Sequence, residues 1–217
     1  MPRLSTTERF LCLFTEVRSG EGATALMMFA NVFLSLLACY LIKPLREGWI
    51  AVSDIEGLSK MEVKAYSSFA QSLVLLFVVG WYARLSDRWD RGTLFTRATL
   101  FCISNMVIFW FLQPDFFIDK LPSTGILYYL WVGMFGVFVV AQFWTFCADV
   151  YTDERGKRML PFIAIGATSG AVVGSWLVDR LVSSGAVSIE SLLLIATLPL
   201  FVSIILVHKV EQREVHH

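Results

Sequence analysis

The 217-residue sequence has no cysteine pair, no histidine cluster, no excess of either charge and no short alternating apolar segments. The four cysteines, Cys12, Cys39, Cys102 and Cys147, form no CxxC and no pairable external set, which excludes a disulfide scaffold. Three of them lie in or at the ends of apolar runs, where cysteine acts as a small buried hydrophobe. The three histidines, His208, His216 and His217, crowd the C-terminal end without a ligand constellation, so no metal site and no cofactor is expected. With 18 basic and 18 acidic residues the formal charge is zero, and no footprint for a nucleic-acid polymer exists. The absence of short alternating segments excludes a transmembrane β-barrel.

What is present is apolar: 56% of the residues are hydrophobic, and the mean hydropathy is +0.65. The charges cluster between long apolar runs, the pattern of a polytopic helical membrane protein. The expected fold is all-α, with a six-helix transmembrane domain over residues 23–209. Its spans fall at about 25–42, 65–82, 94–112, 125–148, 159–177 and 189–207. Residues 1–22 mix Arg3, Arg9 and Arg18 with Glu8, Glu16 and Glu21 around a short apolar patch. They read as an amphipathic segment on the membrane surface rather than a cleaved signal. Residues 210–217 form a charged tail, and Pro44 permits the first helix to kink or break.

Basic residues orient the bundle. Twelve of the 18 lie in the N-terminal segment (Arg3, Arg9, Arg18), two turns (Arg84, Arg88, Arg91, Arg97; Arg155, Lys157, Arg158) and the tail (Lys209, Arg213). That bias puts both termini in the cytoplasm and the chain in a bacterial inner membrane. Lys43, Arg46, Lys60 and Lys64 are the exception, because one loop carries four basic residues on the opposite side. Two explanations stand: an anionic ligand, or local pairing with Glu47, Asp54, Glu56 and Glu62.

The hairpin 141–176 organises the sequence. Two apolar runs flank ten residues with six charges, Asp149 to Arg158. In the second run Gly166, Gly170 and Gly174 recur every four residues, a face where a neighbouring helix can approach closely. Asn31, Ser35, Cys39 and Lys43 make a polar stripe on the first span, and Asn105 and Gln142 lie deep in the third and fourth. Such groups either line a wet cavity or bond helix to helix. Ser169 beside Gly170 invites comparison with intramembrane serine proteases, but no base lies near it in sequence, and an enzyme is not expected.

The turn LSDRWDR, with Asp87, Arg88 and Arg91, resembles the signature between the second and third helices of the major facilitator superfamily. Glycine normally stands there in place of Ala83 and Asp90. The turn YTDERGKR and the glycine run after it are similar to that superfamily's fourth loop and fifth helix. More narrowly, FTEVRSGEG, YLIKPLREGWI, KAYSSFAQ and VVAQFWTFCADVYTDERGKRMLPFIAIGATSGAVVGS resemble the nucleotide transporters, the ATP/ADP translocase-like branch. The resemblance covers nearly the whole chain and implies the N-terminal half of a twelve-span transporter, built of two inverted three-helix repeats. Trp81 with Asp87-Arg88 and Trp176 with Asp179-Arg180 form a faint echo between the triplets.

By this resemblance Lys64 matches a nucleotide-binding lysine, and Lys43, Arg46 and Glu47 match the charged end of the first helix. The related proteins carry a glutamate inside the fourth helix, whereas residues 127–146 here contain no acidic group, only Gln142 as a strongly polar one. That difference speaks against strict ATP/ADP exchange. The candidate substrate-binding residues are therefore Lys43, Arg46, Lys64, Asn31 and Gln142. A cytoplasmic latch of Asp87, Arg88, Arg91, Asp149, Glu154 and Arg155 is expected, with a topology anchor as its alternative. The partners expected are the bilayer, a small anionic substrate, and a second six-helix half: the chain itself, a separate chain or a missing C-terminal half. The alternative function is a transport-inactive accessory subunit docked in a larger membrane complex.

Overall fold

A computed structural model describes residues 21–51, 55, 57–86, 88–113 and 122–215. Residues 1–20 of the expected amphipathic segment 1–22, with Asp54, Glu56 and Asp87, lie outside the described residues. Among those described, the fold is all-helical. Six long helices follow one another: α1 (Gly22–Ala51), α2 (Lys60–Ser86), α3 (Arg91–Phe111), α4 (Pro122–Val150), α5 (Asp153–Ser183) and α6 (Leu192–Val215), the last entered by a 3₁₀ turn, Ile189–Ser191. All six are long and apolar enough to cross a membrane. The chain is thus an integral membrane protein, with six candidate membrane-spanning helices among the described residues.

Local chemistry sets the ends. Ser59 and Glu62 form a capping box at the start of α2, the Glu62 carboxylate accepting from Ser59 N (2.8 Å) and Oγ (2.6 Å). Asp153 and Glu154 occupy the first turn of α5, where negative charge meets the positive end of the helix dipole. At the far end of α5, Gly185 takes a left-handed φ of 68°, which a side chain would disfavour, and lets the chain turn back.

The helices outrun their apolar cores. α1 continues through Pro44 to Ala51 instead of breaking, because Leu45, Trp49 and Ile50 beyond the proline are buried. α6 likewise carries on through the expected tail, with Val210 buried.

Side-chain pairs fix which ends lie together. Thr24 at the start of α1 donates to Glu214 at the end of α6 (3.0 Å), and Arg158 at the start of α5 reaches Glu21. Arg91 at the start of α3 pairs with Asp149 at the end of α4. At the opposite pole Lys64 of α2 pairs with Glu47 of α1, and Ser68 meets Tyr129 of α4. The helices therefore alternate up and down, and Arg88 and Arg155 belong to the same end of the bundle.

α1 is the hub. It packs along α5, α6 and α4; α6 also packs on α3, and α4 carries α2 and touches α3. In its most apolar window 56% of α1 is buried, against 11% of α2, so α2 is the outermost helix. One core cluster joins α1, α3, α4 and α6 around Ile42, Met106, Tyr128 and Leu193. A second, nearer the arginine-bearing end, gathers Met28, Phe143, Met159, Ile163 and Val207. α5 seats on α1 through its glycines. A Cβ at Gly166 would lie 2.8 Å from Phe29 O, one at Gly174 3.0 Å from Leu37 O, and one at Gly170 would run into the Phe33 carbonyl.

Candidate functional site

The pole formed by the end of α1 and the starts of α2 and α4 holds three of the candidate binding residues. Lys64 Nζ lies 2.6 Å from Glu47 Oε2, and Arg46 Nε lies 3.7 Å from Glu47 Oε1, so one carboxylate serves two cations. The Arg46 guanidinium sits 4.0 Å from the centre of the Tyr129 ring, a cation–π contact. Tyr129 OH in turn shares a 2.8 Å hydrogen bond with Ser68 Oγ. Tyr129 is buried, which fixes the ring that holds the guanidinium. Lys43 lies one turn earlier with its ammonium 3.6 Å from the centre of the Tyr40 ring. Arg46 Nε is buried with no hydrogen-bond acceptor among the described residues. Glu62 is turned to the cap of its own helix rather than to a lysine. Local pairing thus accounts for Lys64 and part of Arg46, and leaves Lys43 without a carboxylate among the described residues.

The two buried amides sit elsewhere. Asn31 Nδ2 donates to Ser203 O and Ser203 Oγ, both at 3.0 Å, and Ser35 Oγ lies 3.4 Å from the same hydroxyl. These bonds tie α1 to α6 inside the bundle. Gln142 Nε2 donates to Phe95 O (3.0 Å) and approaches Thr99 Oγ1 (3.4 Å), tying α4 to α3. The polar stripe of the first span is therefore split: Asn31 and Ser35 face α6, and Lys43 is exposed. Gln142 borders a crevice of about 20 Å³ that Arg91 and Asp149 also line. Asn105 Nδ2 returns to its own helix at Phe101 O.

The opposite pole holds the candidate latch, and its residues divide into two sets. Arg91 Nε is 3.0 Å from Asp149 Oδ2 while Nη1 donates to Asp149 O at 3.1 Å, a two-point hold of α3 on α4. Arg155 belongs to a separate cluster: its Nε lies 3.2 Å from Glu21 Oε1 and its Nη1 3.5 Å from Glu214 Oε2. Arg158 sends both terminal nitrogens to the Glu21 carboxylate at 3.3 Å each. Glu21 is 12% exposed and Arg158 19%, so these charges are largely removed from water and depend on one another. Arg88 and Glu154 are exposed at the turns.

Sequence reasoning missed Glu21, Arg158, Glu214, Tyr129 and Glu211. Glu211 fills the space beside Gly92 where a Cβ would stand, and accepts its backbone N–H. It joins the end of α6 to the start of α3, with His208 Nδ1 3.6 Å away. The available signal was modest: an acid at the start of α1, and acids and bases in the last turns of α6. Comparison of the chain with family models, with curated proteins and with solved structures gives no match.

Proposed function

We propose that the chain forms one half of a secondary transporter for an anionic metabolite such as a nucleotide, working by alternating access against a second six-helix unit. The observation that carries the proposal is the Arg46–Glu47–Lys64 group with Lys43 beside it. Arg46 and Lys64 share one carboxylate, Lys43 stands a turn away over Tyr40, and Arg46 Nε has no hydrogen-bond acceptor among the described residues. An incoming phosphate or carboxylate satisfies that nitrogen and competes with Glu47 for Lys64. The pairing of helices adds support for a half-facilitator fold. Exchanging α1 with α4, α2 with α5 and α3 with α6 turns α1–α5 into α4–α2 and α1–α6 into α4–α3, while α1–α4 and α3–α6 map onto themselves. The arginine-bearing end is read as cytoplasmic, in a bacterial inner membrane, and its ion pairs as the latch that holds one rocking position.

The test is uptake of labelled nucleotides and other anionic metabolites by proteoliposomes. Lys64→Ala should lower uptake while leaving assembly intact. Unchanged uptake removes Lys64 from the site.

A second function, an accessory subunit without transport, is favoured by the burial of Asn31, Ser35 and Gln142 and by the exposed apolar side chains of α2, such as Leu76 and Phe77. Gentle purification then brings other chains down with this one, whereas a clean monomer or homodimer counts against it.

A further inference from the structure

The contacts that α4 makes with α2 and α3 are looser than those of α1 with α5 and α6. They leave a groove of about 480 Å³ between α2, α3 and α4, next to the arginine-bearing turn. Its walls are aliphatic and aromatic, and among the described residues Arg97 is the only charged one lining it. Such walls do not suit a nucleotide. On α2 the groove runs from Val74 to Leu85, a rise of about 16 Å at 1.5 Å per residue. Half of a hydrocarbon core of about 30 Å is about 15 Å, so the groove extends over one leaflet, from the midplane to the arginine end.

Chemistry changes along that length. The deep part is apolar, while the mouth carries Trp81, Trp89 and Arg97. Tryptophan settles at headgroup level in membrane proteins. The Arg97 guanidinium lies 4.6 Å from the centre of the Trp89 ring and has no carboxylate in ion-pair range among the described residues. Arg84 and Arg88, both exposed, flank the same mouth in sequence. Asp90 shares that turn with them, and Arg97, drawn over the Trp89 ring, sits where a lipid phosphate would lie.

We propose that this groove seats one acyl chain of an anionic phospholipid, with the lipid phosphate held by Arg97. Bound this way, the lipid fills the gap between α2 and the rest of the bundle and completes the packing of the outermost helix.

Native mass spectrometry of the full-length protein tests the proposal. The delipidated chain is offered equimolar phosphatidylglycerol and phosphatidylcholine with the same acyl chains. The wild type should retain the anionic lipid in preference by about fivefold, the factor expected of one arginine near a membrane surface. Arg97→Gln should bring the ratio close to one. Arg180→Gln should leave it unchanged, since Arg180 faces Trp176 at the other pole and does not line this groove. Ala98→Phe, which fills the groove wall, should reduce retention of both lipids. Arg97 is exposed, so its variant should fold and decides the question even if Ala98→Phe does not. A wild-type ratio of one, an unchanged ratio in Arg97→Gln, or full retention in a folded Ala98→Phe overturns the proposal. So does a lipid-free species in which a second chain occupies this face.

Discussion

Replacing Gly170 by alanine places a methyl group against the backbone of α1. The new Cβ would run into the Phe33 carbonyl oxygen and stand 2.9 Å from Phe33 Cα, whereas ordinary contact begins at 3.4 Å. Both obstacles are backbone, so no side-chain rotation relieves them, and α5 must move off α1 by about half an ångström or more. Because α1 is the hub, that shift also loosens the contacts of Gly166 with Phe29 and Gly174 with Leu37. Overpacking of this kind costs about 1–3 kcal/mol, and the close approach it removes is the main source of helix association in lipid. The order expected is Gly170→Ala most damaging, then Gly166→Ala (2.8 Å to Phe29 O), then Gly174→Ala (3.0 Å to Leu37 O). Reversible unfolding in mixed micelles by added SDS, followed by circular dichroism, measures the loss. Gly136→Ala on α4 is the control: nothing lies within 4 Å of its Cβ, so stability should change by no more than about 0.5 kcal/mol. A Gly170→Ala protein as stable as Gly136→Ala refutes the glycine-seated α1–α5 contact.

Other outcomes follow from the same geometry. Glu21→Gln removes the carboxylate that Arg155 and Arg158 share in a largely desolvated site, and breaking such a group costs up to about 3–5 kcal/mol. It should therefore lower the unfolding midpoint far more than Asp149→Asn, whose partner Arg91 is 58% exposed and whose bridge is worth about 1 kcal/mol or less. Equal effects would contradict the difference in burial. Asn31→Leu leaves Ser203 Oγ without its amide donor and should destabilise by about 1–2 kcal/mol in the same assay while sparing the uptake proposed above; lost uptake in a fully stable variant would place Asn31 on the substrate path. Tyr129→Phe keeps the ring under Arg46 and removes only the bond to Ser68, so it should disturb the proposed anion uptake less than Tyr129→Ala.

The spans were legible because each is a long apolar run, and the membrane allows such runs one conformation. Their ends were not, because polar and aromatic residues at the interface continue the helix beyond the apolar window. The sequence places Lys43 to Trp49 beyond the first span, at a proline that permits a break, yet burial of Leu45 and Trp49 carries α1 through them. The glycine stripe was visible as a four-residue period, but nothing in α5 says that it meets Phe29 and Phe33 rather than another helix. Polar partners were hidden for the same reason. Asn31 and Ser203 are 172 residues apart, and Arg158 and Glu21 are 137 apart. Two helices must be placed before either pair exists. At the basic pole, sequence located Lys43, Arg46 and Lys64 but not Tyr129, whose ring orders Arg46 from α4.

The most direct test of the account is which side of the membrane each turn reaches. Single cysteines at Arg88, Lys157 and Leu58, all exposed positions, are made in a Cys12→Ser background and labelled with an impermeant maleimide in right-side-out and inverted vesicles. Cys39, Cys102 and Cys147 are buried and should stay silent. Positions 88 and 157 should label together from one face and position 58 from the other. Labelling of 88 and 157 from opposite faces would contradict the six-span bundle with both arginine clusters at one pole.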